Sequence, residues 1–285
     1  MTFDFASLHD SFLDPDRLPH AALALVLVLL GGLIAGPVAG NANPLIWLVI
    51  DICFGGVGDR LNKTHRPRAV LIFRGFLLTA LALALGFALG QAAQTAAAEQ
   101  PLYGVMEILL LSTCLTGGTV FLAIKRVYIS LQKQKLIENS YYIISRSSHT
   151  NLSATDDFGI VRCAMGYAAR IFDKGLVAPL VWYLIGGLPA AYVYAVAAAL
   201  AWRLGKDGFT KGIGGAALFI ERILGLLPGL LSGILLTLAA LFTPTAGVWR
   251  SMVSWFGHDQ RAPYAQGGQP LSILAWALHV SLGGP

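Results

Sequence analysis

The sequence predicts an all-α fold: a polytopic integral membrane helical bundle with re-entrant or broken helices and a cytoplasmic amphipathic-helix region. Three observations carry that class. Hydrophobic residues make up 56% of the chain and charged ones 12%, where soluble domains hold about a quarter charged. The run Leu176–Trp202 has no charged side chain, which a surface helix of a soluble domain would need. Basic residues gather in a few polar stretches between apolar runs, the pattern of cytoplasmic loops. The net charge of +5 therefore points to the lipid bilayer as partner and not to nucleic acid. The 285 residues read as a single membrane domain, 1–285, with a cytoplasmic polar insertion at about 125–174.

The N-terminus carries Asp4, Asp10, Asp14 and Asp16 against Arg17, the wrong charge for a signal-peptide n-region. Ala21–Val38 is the first span, with Gly31-Gly32 where another helix could approach closely. Pro44–Val57 is apolar, short and interrupted by Asp51, which suits a re-entrant or interfacial helix. Arg60, Lys63, Arg66 and Arg68 follow, opposed by Asp59. Gly75–Gln91 is the second span, Gln91–Pro101 a loop without Lys or Arg, and Leu102–Ile124 the third span, with Glu107 inside it. Lys125–Lys174 is the longest polar stretch. Within it a helix is expected over Val127–Ile144, then a loop of Ser, His, Thr and Asn to Thr155. A second amphipathic helix is expected over Asp157–Phe172, capped by Asp156 or Asp157.

The basic residues orient the bundle. The N-terminus and Gln91–Pro101 lie outside, and Asp59–Arg74 and Lys125–Lys174 lie in the cytoplasm. If Leu176–Trp202 crossed once, Arg203, Lys206, Lys211 and Arg222 would be stranded outside. A break at Gly186-Gly187-Leu188-Pro189 would return them. Ile223–Phe242 is the next span, bent or entered at Pro228, and Pro270–Leu282 is a partial one. The three cysteines, Cys53, Cys114 and Cys163, form no CxxC or His/Cys cluster, so neither a disulfide framework nor a metal site is expected.

The segment Val177-Ala178-Pro179-Leu180-Val181-Trp182-Tyr183-Leu184-Ile185-Gly186-Gly187-Leu188-Pro189 closely resembles the most recognisable stretch of the CobD/CbiB family. Those are membrane-embedded adenosylcobinamide-phosphate synthases of cobalamin biosynthesis. Lys174–Arg203 fits the family pattern without a gap. Ile34-Ala35-Gly36-Pro37 and Asn43-Pro44 resemble the family's "LLGDP…HPV", with Gly36 at its Asp and Asn43 at its His. The family's basic entry to its next span resembles Arg68 through Arg74-Gly75. Its "VGRDT" resembles Ile144-Ser145-Arg146-Ser147-Ser148: Arg146 is kept and Ser147 stands at the Asp. The C-terminal "LGGP" is Leu282-Gly283-Gly284-Pro285, and the preceding "SPNAG" is weakened to Ala262–Gly267.

Other motifs depart further. The family's "ESxAEN" falls on Gly166-Tyr167-Ala168-Ala169-Arg170-Ile171. Its "DG" becomes Lys174-Gly175, with Asp173 one place away. Its "NTxDSM" becomes Ala198–Arg203 and its "DDxxN" becomes Glu221–Gly225. The resemblance implies amide-bond formation between adenosylcobyric acid and aminopropanol phosphate, with Mg²⁺ and ATP. The residues themselves support neither cofactor, because Ala or Arg cannot coordinate Mg²⁺. The missing acids imply a copy impaired in catalysis or repurposed, and the alternative is a non-enzymatic membrane regulator or scaffold like the AmpE-type sensory proteins. A transporter would usually show paired repeats, and none is visible. A corrinoid substrate and a homo-oligomer are the partners that this reading leaves open beside the bilayer.

Each candidate has a plainer reading. Glu221 and Asp173 are the catalytic candidates, although Glu221 could simply pair with Arg222 or Lys211. Arg146 and Arg74 are the substrate- or phosphate-binding candidates; a headgroup contact and snorkelling are the plainer fates. Arg146, Asp173 and Glu221 should share one cytoplasmic cavity if the family reaction persists. Glu107 and Asp51 are functional candidates or structural partners of a cation. His149, His258 and His279 are read as surface or packing residues. Trp182, Tyr183, Tyr192, Tyr194, Trp202, Trp249 and Trp255 are read as a membrane belt. Lys125–Lys135 is read as an anionic-lipid anchor.

Overall fold

The structure, a computed structural model, describes residues 17–62, 66–99, 102–133, 138–205, 212–255 and 267–282. Lys63, Lys135, Lys206, Lys211, His258, most of Ala262–Gly267 and Gly283–Pro285 lie outside them. Among the described residues thirteen α-helices follow in order: α1 Arg17–Ala35, α2 Leu45–Ile50, α3 Gly56–Leu61, α4 Arg68–Ala98, α5 Tyr103–Ser112, α6 Gly118–Gln132, α7 Glu138–Ser148, α8 Asp157–Phe172, α9 Ala178–Leu204, α10 Gly215–Leu224, α11 Leu226–Leu241, α12 Val248–Val253 and α13 Gly268–Leu278. Wide π turns, Asp51–Gly55 and Asp173–Val177, join α2 to α3 and α8 to α9. Among the described residues there is no strand, only an isolated bridge between Val38 and Asn41. The stretches Arg17–Ala35, Arg68–Ala98 and Asp157–Leu204 are long and apolar enough to cross a membrane, and the helices flanking Gly225 would add a fourth as one broken span. The chain is an all-α membrane protein.

Contacts divide it into two compact units. The first is Met1–Leu29, Pro44–Leu115 and Ala178–Ile223; the second is Leu30–Asn43, Thr116–Val177 and Leu224–Pro285.

In the first unit α9 is the central helix, packed along α4 and against α2. Small residues let the backbones close up: a Cβ on Gly90 would sit 2.5 Å from the Cα of Pro189, and one on Gly75 would sit 2.1 Å from the carbonyl oxygen of Ile213. Position 90 meets 189 and position 75 meets 213, so the second half of α9 runs antiparallel to α4. Arg203 therefore returns to the Arg68 end of the unit, as its charge demands. The return starts at the expected break. Gly186 (φ −136°) and Gly187 (φ 67°) leave helical geometry, the second in a region that glycine enters without a Cβ penalty. Pro189 has no N–H to offer the carbonyl of Ile185. The buried Arg17 answers it, with Nη1 donating to the carbonyls of Ile185 at 3.4 Å and Leu184 at 3.5 Å.

In the second unit α8 packs on α6, α7 and α13, and α11 packs on α13. Asp156 caps α8, its carboxylate accepting the Gly159 N–H at 3.0 Å, as expected.

Several expectations are corrected. Gln91–Ala98 is helix and not loop, because its Gln- and Ala-rich composition favours helix whatever its lack of charge. Leu102–Ile124 is not one span: helix ends at Ser112 and restarts at Gly118, with Gly117 as the capping position. The helix expected over Val127–Ile144 belongs to two, since α6 ends at Gln132 and α7 runs from Glu138 to Ser148, shortening the expected loop. The helix restarts at Leu226 after Gly225, with Pro228 in the first turn of α11, where a missing N–H costs nothing. His149 and His279 are left-handed residues at the ends of α7 and α13 (φ 51° and 60°). Tyr183, Tyr192, Tyr194 and Trp202 are buried within the first unit and form no belt; Trp249, 75% exposed, fits one.

Candidate functional site

Three separate stretches of the second unit meet at a buried polar network. The first is the turn Gly36–Asn43, where Gly36, Ala39 and Gly40 all have positive φ. Asn41 folds it tighter, its Oδ1 accepting the N–H of Asn43 at 2.9 Å. The second is the end of α7. Ser147 Oγ accepts the N–H of Ala42 at 2.9 Å, and Asn43 Nδ2 donates to the Ser147 carbonyl at 2.9 Å. The third is α8, whose Tyr167 hydroxyl donates to Asn43 Oδ1 at 2.9 Å. Thr116 and Thr119 complete the shell by donating to the Ala42 carbonyl at 2.7 and 3.2 Å. Asn43, Ser147 and Tyr167 are each at most 5% exposed. Burial of this many polar groups is tolerable only because they satisfy one another.

Arg146 sits beside the network on the exposed side of α7, and its Nη1 donates to the Tyr142 hydroxyl at 2.8 Å. The Tyr142 ring presses on Gly40, where a Cβ would come within 2.9 Å of it. Arg170, one turn after Tyr167 on α8, is half-buried. Farther along the chain, buried Asp173 accepts a hydrogen bond from Ser232 Oγ at 2.6 Å. Its neighbour Lys174 is 3% exposed.

The first unit keeps its charges elsewhere. Arg203 bridges two carboxylates: Nε meets Asp51 Oδ1 at 2.6 Å and Nη2 meets Asp59 Oδ2 at 2.5 Å. The π turn begins at Asp51, and Gly55 leaves the room for this pair, because a Cβ there would lie 2.5 Å from Asp51 Oδ1. Trp202 and Trp47 pack beside it, ring centroids 5.6 Å apart. His20 Nδ1 lies 3.2 Å from Glu107 Oε2. Of the two acids that the sequence offers as partners of a cation, Asp51 has one in Arg203, and Glu107 has an imidazole beside it. Glu221 is fully buried, with the Tyr194 hydroxyl donating to Oε1 at 3.4 Å. Arg222, one of the two cations that the sequence offers Glu221, is exposed on α10, and the other, Lys211, lies outside the described residues. Arg74 is half-buried on α4. Of the four candidates, Arg146 and Asp173 belong to the second unit, Glu221 and Arg74 to the first.

The family model described as "CobD/Cbib protein" matches residues 30–285. The chain belongs to the CobD/CbiB family. Among its relatives, "Cobalamin biosynthesis protein CobD" of Geobacter metallireducens is 32% identical over 79% of this chain and 69% of that protein. The protein of the same name from Rhizobium meliloti is 26% identical over 92% of this chain and 82% of its own length. The one from Klebsiella pneumoniae is 27% identical over 78% and 69%. No solved structure matches.

Against that family, the meeting point acquires meaning. Its three stretches are the ones that resemble "GDP…HP", "VGRDT" and "ESxAEN". Asn43, Ser147 and Tyr167 occupy family positions that sequence reasoning marked as replacements but did not join. Where the pattern has acids, this chain has Ser147, Gly166 and Arg170; in the first unit it has Ala201, 2% exposed, and Arg222. Mg²⁺ asks for carboxylate oxygens around an octahedron. The donors that converge here are a carboxamide, hydroxyls and carbonyls already bonded to one another, with a guanidinium alongside. Among the described residues no group of three His, Cys, Asp or Glu side chains could hold a metal ion. This donor set does not fit Mg²⁺.

Proposed function

We propose that the chain serves cobalamin assembly from the bacterial inner membrane as a multi-pass, corrinoid-binding relative of the adenosylcobinamide-phosphate synthases. In it, amide-bond formation between adenosylcobyric acid and aminopropanol phosphate is weak or absent. The neutral Tyr167–Asn43–Ser147 network carries this reading. It fills with closed hydrogen bonds the place where three family motifs meet, so the backbone of a ligand site is kept while the acids that would hold a metal and the developing charge are gone. Arg146 supports retained recognition. Its exposed guanidinium is steadied at one nitrogen by Tyr142, leaving a planar fork suited to a phosphate.

Two measurements test the two halves separately. Complementation of a strain lacking its synthase, on cobyric acid, should give no growth despite good membrane expression. Robust growth that is lost on Glu221→Ala would overturn the impairment. The purified protein should retain an adenosylated corrinoid, followed by its visible absorbance, and Arg146→Gln should weaken retention. A protein that retains none would overturn the ligand assignment.

A further inference from the structure

Helix α6 presents an exposed face that no contact within its unit explains. Val120, Ala123 and Val127 are buried on one side, toward α7 and α8. On the opposite side, within less than half a turn of the wheel, stand Phe121 (57% exposed), Tyr128 (57%) and Ile129 (39%). Lys125, Arg126 and Lys133 share that exposed side. The apolar and basic groups are ordered across it. At about 100° per residue, Phe121 and Tyr128 form one flank, Arg126 and Lys133 the other, and Lys125 and Ile129 lie between. Gln132 Nε2 donates to the Tyr128 hydroxyl at 2.8 Å. No acidic residue occurs anywhere between Glu107 and Glu138.

We infer that this face docks on the anionic phospholipid surface of the membrane that the protein inhabits. The helix lies in the interface, with the Phe121–Tyr128 flank in the acyl boundary and the basic flank against headgroup phosphates. Charge and shape together select this occupant. An acid-free basic flank fits an anionic surface, and each Lys or Arg near one contributes roughly a fivefold preference. Two exposed aromatics beside it suit the headgroup boundary, where amphipathic helices bury one side. An acidic protein or a nucleotide would match the cations but leave the aromatic flank in water.

The test uses the full chain in lipid nanodiscs. Gln132→Cys, in a Cys53→Ser background, carries an environment-sensitive fluorophore. In phosphatidylcholine–phosphatidylglycerol discs its emission should shift to the blue and resist a water-soluble quencher; in pure phosphatidylcholine discs both effects should weaken. Lys125→Gln, Arg126→Gln and Lys133→Gln together should remove the difference between the two lipids. These side chains are exposed, so the fold should survive, and an unchanged thermal melt checks that. High salt should act as the triple variant does, since the Debye length falls to about 3 Å at 1 M. A probe equally quenched in both lipids would overturn the inference and leave the face to water or a protein partner. A lipid difference that survives the triple variant would overturn it as well.

Discussion

The charged centre of the first unit and the neutral network of the second solve the same problem in opposite ways. Each ties distant stretches of chain together with polar groups inside an apolar molecule. At Arg203 the tie is ionic, a guanidinium gripping Asp51 and Asp59. It is open at one edge, with Asp59 59% exposed. At Tyr167, Asn43 and Ser147 the tie is uncharged and closed. The lesson is that losing acids at family positions did not strip the chain of charge. The first unit keeps a pair of carboxylates and answers both with one cation of its own. The second unit removed them where its motifs meet.

The largest test of that contrast restores a carboxylate. Ser147→Asp should destabilise the protein by about 3 kcal/mol, because a carboxylate buried there breaks a closed neutral network and costs that much or more unless a neighbouring guanidinium turns in to pair with it. Thermal unfolding of the detergent-solubilised protein measures it, and a variant as stable as the parent would show that the network can host a charge. Arg203→Met attacks the other side. Two charge-assisted hydrogen bonds are lost, but partial exposure discounts them, and a loss of about 2 kcal/mol is expected. A stability that does not move would mean the ion pairs are only surface decoration. Tyr167→Phe should cost about 1 kcal/mol, because it removes one donor and leaves Asn43 Oδ1 short of a partner. Arg146→Gln should leave the melt within ~0.5 kcal/mol while lowering corrinoid retention. If it moves stability instead, Arg146 is part of the scaffold.

The contrast also explains what the sequence could and could not disclose. The break at Gly186-Gly187-Leu188-Pro189 and the Asp156 cap are written in neighbouring residues, so both were legible. So was the return of Arg203, from the charge it would otherwise strand. The interruption at Gly117-Gly118 hides inside a mostly apolar run whose single charged residue, Glu107, lies ten positions away. The Ala-rich end of α4 looks like a loop only if lack of charge is mistaken for lack of structure. Arg203–Asp51 and Tyr167–Asn43 join residues separated by 152 and 124 positions. No local pattern announces such pairs; for the second, resemblance to the family marked the positions without revealing that they touch.

The capping of α9 by Arg17 bears on how the chain is made. Synthesis runs from the N-terminus, and segments settle as they emerge. Arg17 is delivered long before Leu184 and Ile185, whose carbonyls the glycine–proline break leaves open. The donor is thus already in place when its acceptors arrive. Once the half of α9 that follows Pro189 has been made, the hairpin closes on a sealing group already waiting. Arg17→Ala should therefore do its damage late in translation, as nascent chains that insert normally up to α5 and then stall or are degraded once α9 enters.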